Sequence, residues 1–146
     1  MVVNNTILYA LLGLIYLAKN TKRSVKIGEI AKAEKISVSF LHKVFQPLSR
    51  GKIVKASFGP NGGFVLARPA GKITLYQVIK VMRPEEDRTA KALMREVCRH
   101  RDGKLLLHFM MHLRDDFLQY LKSVNLENLA AHPLNKSKHL HPHTYI

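Results

Sequence analysis

The side chains with the most chemical potential form three groups, each pointing to a different reaction. Cys98 is the single cysteine, and Arg95, Arg99, His100 and Arg101 around it would stabilise a thiolate. That makes it a candidate redox switch, with an inert structural thiol as the alternative. One thiol excludes an internal disulfide and fits a reducing, cytoplasmic setting. The second group is His132, His139, His141 and His143 in the last residues of the chain, where His-x-His spacing can take a soft divalent metal. No acid or thiol stands beside them, a disordered cationic tail accounts for them more simply, and no metal site is expected. The third group binds anions. Lys19, Lys22, Arg23 and Lys26 suit phosphate, and Ser39, His42, Lys43 and Gln46 are donors and acceptors suited to phosphates and base edges. The chain has no P-loop, no glycine fingerprint for a nucleotide after a strand and no zinc-hydrolase histidine pair, so catalysis is not expected.

The charge distribution favours this third group. Of 24 Lys and Arg against 10 Asp and Glu, thirteen bases and only two acids, Glu29 and Glu34, lie in residues 1–82, whereas residues 83–146 hold eleven against eight. A net charge of +14 concentrated in one half attracts polyanions. The one long apolar run, residues 7–18, is twelve residues long, short of the about 20 that cross a bilayer. Residues 1–6 carry no charge and so lack the basic start of a secretory signal, which leaves nucleic acid as the expected partner, without a membrane.

The elements that must position these groups are legible from periodicity and punctuation. Residues 6–20, with Leu8, Leu11, Leu12 and Ile15 at helical spacing in a nearly apolar setting, predict a buried helix. Residues 28–34 predict a short second helix with Ile30 and Ala31 inward. Ser37 is suited to cap a third, running from Val38 toward Gly51, with Phe40, Val44 and Leu48 on its apolar stripe. Two helices joined by a tight turn, the second polar and basic on its free face, make a helix-turn-helix. Residues 53–58 and 64–67 then read as strands around Gly59-Pro60-Asn61-Gly62-Gly63, a hairpin that forms a wing. Thr74 and Gln77 have the spacing of a capping box at the start of a fourth helix that stops at Arg83-Pro84. Residues 84–88 read as a charged linker and 89–98 as a short helix. From Gly103, Leu106, Met110, Leu113, Phe117, Tyr120 and Val124 alternate steps of four and three, the seam of a long dimerisation helix. Leu105, Leu107, Phe109, Leu118 and Leu121 widen its apolar face, enough to serve both its own domain and a partner.

Several of these segments resemble the Rrf2 winged-helix regulators, which include iron-sulfur-assembly, nitric-oxide-sensing and cysteine-metabolism repressors. The resemblance covers roughly residues 6–130. It rests on Tyr9-Ala10-Leu11, Tyr16-Leu17-Ala18, Ile30-Ala31, Ile36-Ser37 before Phe40-Leu41, and Gly59-Pro60-Asn61-Gly62-Gly63-Phe64 with Leu66-Ala67. It implies a homodimer that reads two half-sites of double-stranded DNA, with residues 125–129 forming a short helix after the long one. By position, Ser37, Ser39, Phe40, His42 and Lys43 would face base edges and phosphates, with Lys55 and the wing tip, Asn61 included, beside the minor groove. Three departures stand out. Phe58 occupies the position before Gly-Pro where many members have Arg. Pro47 removes a hydrogen bond inside the third helix, so that the helix bends or its last turn is irregular. Iron-sulfur members supply three cysteines, some with a His, Asp or Glu, and a further arrangement uses an acid in the first helix. Here Cys98 has only His100 and His108 nearby and residues 6–12 hold no acid, so no cluster is expected.

The resulting expectation is a mainly α winged helix-turn-helix with a two-stranded β wing: residues 1–83 bind DNA, 84–102 link, 103–130 dimerise and 131–146 form a flexible tail. Its function would be sequence-specific DNA binding, with repression by occupying a promoter. The rival readings are a non-specific nucleic-acid module and a winged domain that has exchanged DNA for a protein partner. The sequence names no effector.

Overall fold

The computed structural model describes residues 4–83 and 86–131; the four tail histidines named above lie outside them, as does most of the segment expected as a tail. Helix α1, Asn5–Lys19, begins at Asn4, whose side chain accepts the Ile7 N–H at 3.0 Å. It buries Ile7, Ala10, Leu14 and Leu17. Helix α2, Ile27–Glu34, ends at Lys35, which takes a left-handed conformation at φ 55° and returns its N–H to the Ala31 carbonyl. The Ile36 N–H donates to the same carbonyl at 2.9 Å, closing a turn that leads straight into α3, Val38–Arg50. Left-handed backbone is costly for a side-chain-bearing residue, so the turn is held by the helices packed on either side of it.

Ser37 caps α3 as expected, its Oγ accepting the Phe40 N–H at 3.2 Å. The helix continues through Pro47 to Arg50, and the Gly51 N–H closes on the Pro47 carbonyl at 2.8 Å. Leu41, Val44, Phe45 and Leu48 are buried, against Leu14 of α1 and Ile30 of α2 within one continuous core. Gly13 allows this approach: a Cβ there would lie 2.8 Å from the Phe45 ring. Complete burial of side chains of this size contributes about 1.5–3 kcal/mol each, so the helix-turn-helix is fixed chiefly by packing.

Strands β1, Val54–Ser57, and β2, Gly63–Leu66, pair antiparallel, with Val54 opposite Leu66 and Ser57 opposite Gly63. Val25, in the loop between α1 and α2, adds a bridge on the free edge of β2, exchanging hydrogen bonds of 3.0 and 2.8 Å with Phe64. Gly63 passes so close to the Val25 carbonyl that a Cβ has no room. Phe64 sets its ring edge-on to Phe45, centroids 5.0 Å apart, which ties the hairpin to α3. A short 3-10 turn, Ala70–Lys72, leads to α4, Leu75–Met82, which opens with the predicted capping box of Thr74 and Gln77.

The C-terminal part departs from expectation in three places. Helix α5 spans Glu86–Val97, so residues 86–88 of the segment expected as a charged linker are helical. Helix α6, Gly103–Ser123, ends one residue before Val124, which is its C-cap. The Val124 carbonyl instead accepts the Leu75 N–H at 2.9 Å. Helix α7, Leu126–Ala131, then returns to the first unit, with Leu126 fully buried in the core shared with α1 and α3. Leu126, from beyond a boundary at residue 83, is therefore part of the core of the first unit, with Leu129 packed against it.

Candidate nucleic-acid interface

Helix α3 is two-sided because its apolar residues recur every three or four positions, which leaves the intervening polar ones outside. Ser37, Ser39, His42, Lys43 and Gln46 are all exposed. No acid lies in its first turn, so the partial positive charge of the helix N-terminus is unopposed by a carboxylate on that turn. Phe40 is half-buried and packs edge-on to Tyr9, centroids 5.5 Å apart, which ties α3 to α1.

The wing stands beside this helix. Strand alternation buries Val54 and turns Lys55 to solvent. At the tip, Gly59 adopts φ 103° and accepts the Gly62 N–H at 2.9 Å. Asn61 is exposed there, and it shares a cleft with Arg23, Ser24, Lys26 and Gly62. Lys26, the N-cap of α2, is exposed as well. The Val25 bridge brings together these two candidate residues, Lys26 and Asn61, which are far apart in sequence. Phe58 is 93% exposed at the end of β1.

Sequence reasoning grouped Arg23 with the free phosphate-binding cations, but the structure gives it a partner. Its Nη1 donates to Glu29 Oε2 at 2.9 Å and its Nη2 pairs with Glu29 Oε1. The Tyr16 hydroxyl donates to the same Oε1 at 2.8 Å. These donors, Arg23 foremost and then Tyr16, hold the Glu29 carboxyl at about 2. The carboxylate in turn raises the Tyr16 phenol above its ordinary value. The cluster pins the loop carrying Lys22 and Lys26 to both α1 and α2. Its only sequence signal was that Glu29 is one of two acids in a basic half.

On α6, Leu106, Met110, Leu113, Phe117 and Tyr120 are exposed together, joined by Leu105 at 75% and Phe109 at 66%. Leu121, one turn beyond Phe117, is buried with Ile7 and Ile79. Val124 drops out of the expected seam, since it lies past the helix end and is half-buried. Cys98 is exposed in the turn after α5, but Arg99 is engaged with Glu96 at 2.8 Å. His108 and His112 bring their Nε2 atoms to 3.1 Å. Among the described residues no group of three or more His, Cys, Asp or Glu could hold a metal ion. No described helix is long and apolar enough to cross a membrane.

Residues 3–132 match the model of the Rrf2 family, described as iron-dependent transcriptional regulators. A protein of Aquifex aeolicus named as a helix-turn-helix-type transcriptional regulator is 34% identical over 144 residues, 97% of this chain and 98% of its own length. The regulator IscR of Xenorhabdus nematophila is 29% identical over 123 residues, 84% of this chain and 74% of its own. Among solved structures, CymR, the global cysteine regulator of B. subtilis, superposes with a TM-score of 0.71 at 25% identity, covering 88% of this chain and 95% of that one.

Proposed function

The chain belongs to the Rrf2 family of transcriptional regulators, and on that premise we propose that it is a repressor that occupies promoter DNA as a homodimer in the cytoplasm. The observation carrying this reading is the two-sided α3, its apolar face sunk in the core and Ser39, His42, Lys43 and Gln46 free beside a wing. A helix so presented fits the major groove, where side chains distinguish all four base pairs. Lys22, Lys26 and Lys55 supply sequence-independent attraction to phosphate around it.

The exposed face of α6 is the dimer seam of this reading. Leu106, Leu113 and Phe117 each present large apolar surface on one helix, more than isolated surface residues account for. Pairing two copies there sets two α3 helices on two half-sites of a pseudo-palindrome.

The family description names iron, but the donor set here does not fit a protein-held cluster. Such clusters rest on about four thiolate or imidazole ligands, against one cysteine in this chain and, among the described residues, no group of three or more His, Cys, Asp or Glu that could hold a metal ion. We therefore assign it no cluster and no catalytic role.

A mobility-shift competition with the protein's own upstream region tests the proposal. A specific regulator discriminates this region from random duplex by roughly a thousandfold or more. Equal competition by both would establish the non-specific module instead. Substituting His42 or Lys43 should alter sequence preference, whereas substituting Lys22 and Lys26 should weaken all duplexes alike and flatten the salt dependence.

A further inference from the structure

Phe58 is the most exposed of the large apolar side chains described, at 93%. It belongs to neither apolar cluster, and none of the described aromatic pairs includes it. The backbone that carries it is firmly held. Ser57 pairs with Gly63 across the hairpin, and the Gly62 N–H closes the tip on the Gly59 carbonyl. A Cβ at Gly62 would lie 2.9 Å from that carbonyl oxygen and 3.0 Å from the Phe58 carbonyl carbon, so the tip is folded back on itself. The ring is thus held away from the protein by a compact support.

Its surroundings narrow what it can meet. Ser57, Gly59, Pro60 and Asn61 beside it are small or polar, so it is a single apolar projection with no adjoining patch of the kind a protein partner or bilayer needs. No acid occurs between Glu34 and Glu85. Lys55 is exposed two residues earlier on the same strand, and Lys52 and Arg68 line a groove with it at the base of the hairpin. A lone flat ring on a cationic support complements a surface that is anionic at its walls and apolar between its bases. The minor groove of duplex DNA, about 6 Å wide, has that character. Apolar side chains enter it by wedging into a base step, which unstacks and kinks the duplex.

We propose that Phe58 is a minor-groove wedge that inserts at a base step flanking the site covered by α3, making the regulator select operators by the deformability of that step. This rests on the DNA-binding reading above and adds a specificity element to it. Pyrimidine–purine steps unstack most easily, so each half-site should carry one beneath the wing. A cationic side chain would reward a narrow groove electrostatically, whereas a wedge rewards a step that opens.

The test uses the full chain and a duplex of its own upstream region, with 2-aminopurine replacing adenines one at a time. The wild-type protein should raise the fluorescence at one position per half-site, and Phe58→Ala should abolish the rise. Phe58→Ala should lose about tenfold or more in affinity, with the slope of affinity against salt unchanged and thermal unfolding unaltered. Phe58→Leu should retain most of the affinity. Replacing the responsive step by a stiff one should weaken the wild-type protein and leave Phe58→Ala unaffected. Equal affinity and fluorescence for wild type and Phe58→Ala would overturn the wedge, as would a Phe58→Ala that changes oligomeric state, which would assign the ring to a second copy. Failure of the wild-type protein to bind any duplex at low salt would instead remove the DNA-binding reading itself.

Discussion

The winged unit and the arm formed by α5 and α6 use similar apolar side chains to different ends. In the first, Leu14, Ile30, Leu41, Phe45 and Leu126 come from four helices and exclude water from one another completely. In the second, a 21-residue helix buries only Gly103 and Leu121 against its own chain and leaves Leu113 62% exposed. Apolar burial drives folding in proportion to the area removed from water. The winged unit is therefore complete within one copy, whereas the exposed face of α6 removes little apolar area from water within its own chain. Apolar content alone does not reveal which side chains a chain reserves for itself.

The most forceful way to break this contrast is to remove a side chain the winged unit relies on. Phe45→Ala should cost about 3–5 kcal/mol in urea unfolding, because Phe45 joins α1, α3 and β2 at one point. A loss below about 1 kcal/mol would show that the unit is held elsewhere. Next, Leu113→Lys should weaken self-association about a hundredfold, roughly 2.7 kcal/mol by the affinity relation. Sedimentation equilibrium measures this, and far-ultraviolet circular dichroism should show the helices intact. An unchanged oligomer would mean that the arm's exposed face is not the seam. Gly13→Ala sharpens the comparison, since it adds one methyl group where the Phe45 ring leaves no space. Overpacking of this kind costs typically about 1–3 kcal/mol, whereas Gly28→Ala, with nothing near its Cβ, should cost far less.

The smallest effect concerns acid. Glu29 is held at about 2 in the folded chain by Arg23 and Tyr16, while a glutamate in an unfolded chain titrates near ~4.3. The unfolded state binds the proton first, so the stabilisation is complete above ~4.3 and is lost as pH falls from there through the folded value. Glu29→Gln should flatten the stability profile in that window and change little near neutrality other than the lost ion pair. Both groups are partly exposed, which limits the effect. An unchanged slope between the two values would separate Glu29 from acid unfolding.

What the sequence revealed and what it hid divides along local and distant causes. The caps at Ser37 and Thr74, the heptad steps on α6 and the glycine-rich hairpin tip were readable because each is set within a few residues. The turn at Lys35 was less so, since no glycine marks its left-handed residue and packing on either side imposes it. Tyr16, Arg23 and Glu29 gave no joint signal because their meeting depends on the path between α1 and α2. The packing of Phe40 is set at a distance in the same way. The residue lies at the boundary of two helical faces, and only the position of Tyr9 decides which one it serves. The last helix was anticipated as an appendage to the long one. Its docking into the first core depends on a chain reversal at Val124 that no local pattern announces.

That reversal also governs symmetry. The C-terminal end of α6 is clamped to the winged unit by two backbone hydrogen bonds, Leu75 N–H to Val124 at 2.9 Å and Leu126 N–H to Ile73 at 3.0 Å. The long helix thus meets the winged unit, the reading head of the proposed regulator, through paired backbone and not through a free linker. If two copies pair along it, the gap between their heads is set like that of a caliper, by the protein. Half a helical turn of DNA, about five base pairs, inserted between the half-sites would then put one head on the wrong side of the duplex, and neither copy could turn to follow it.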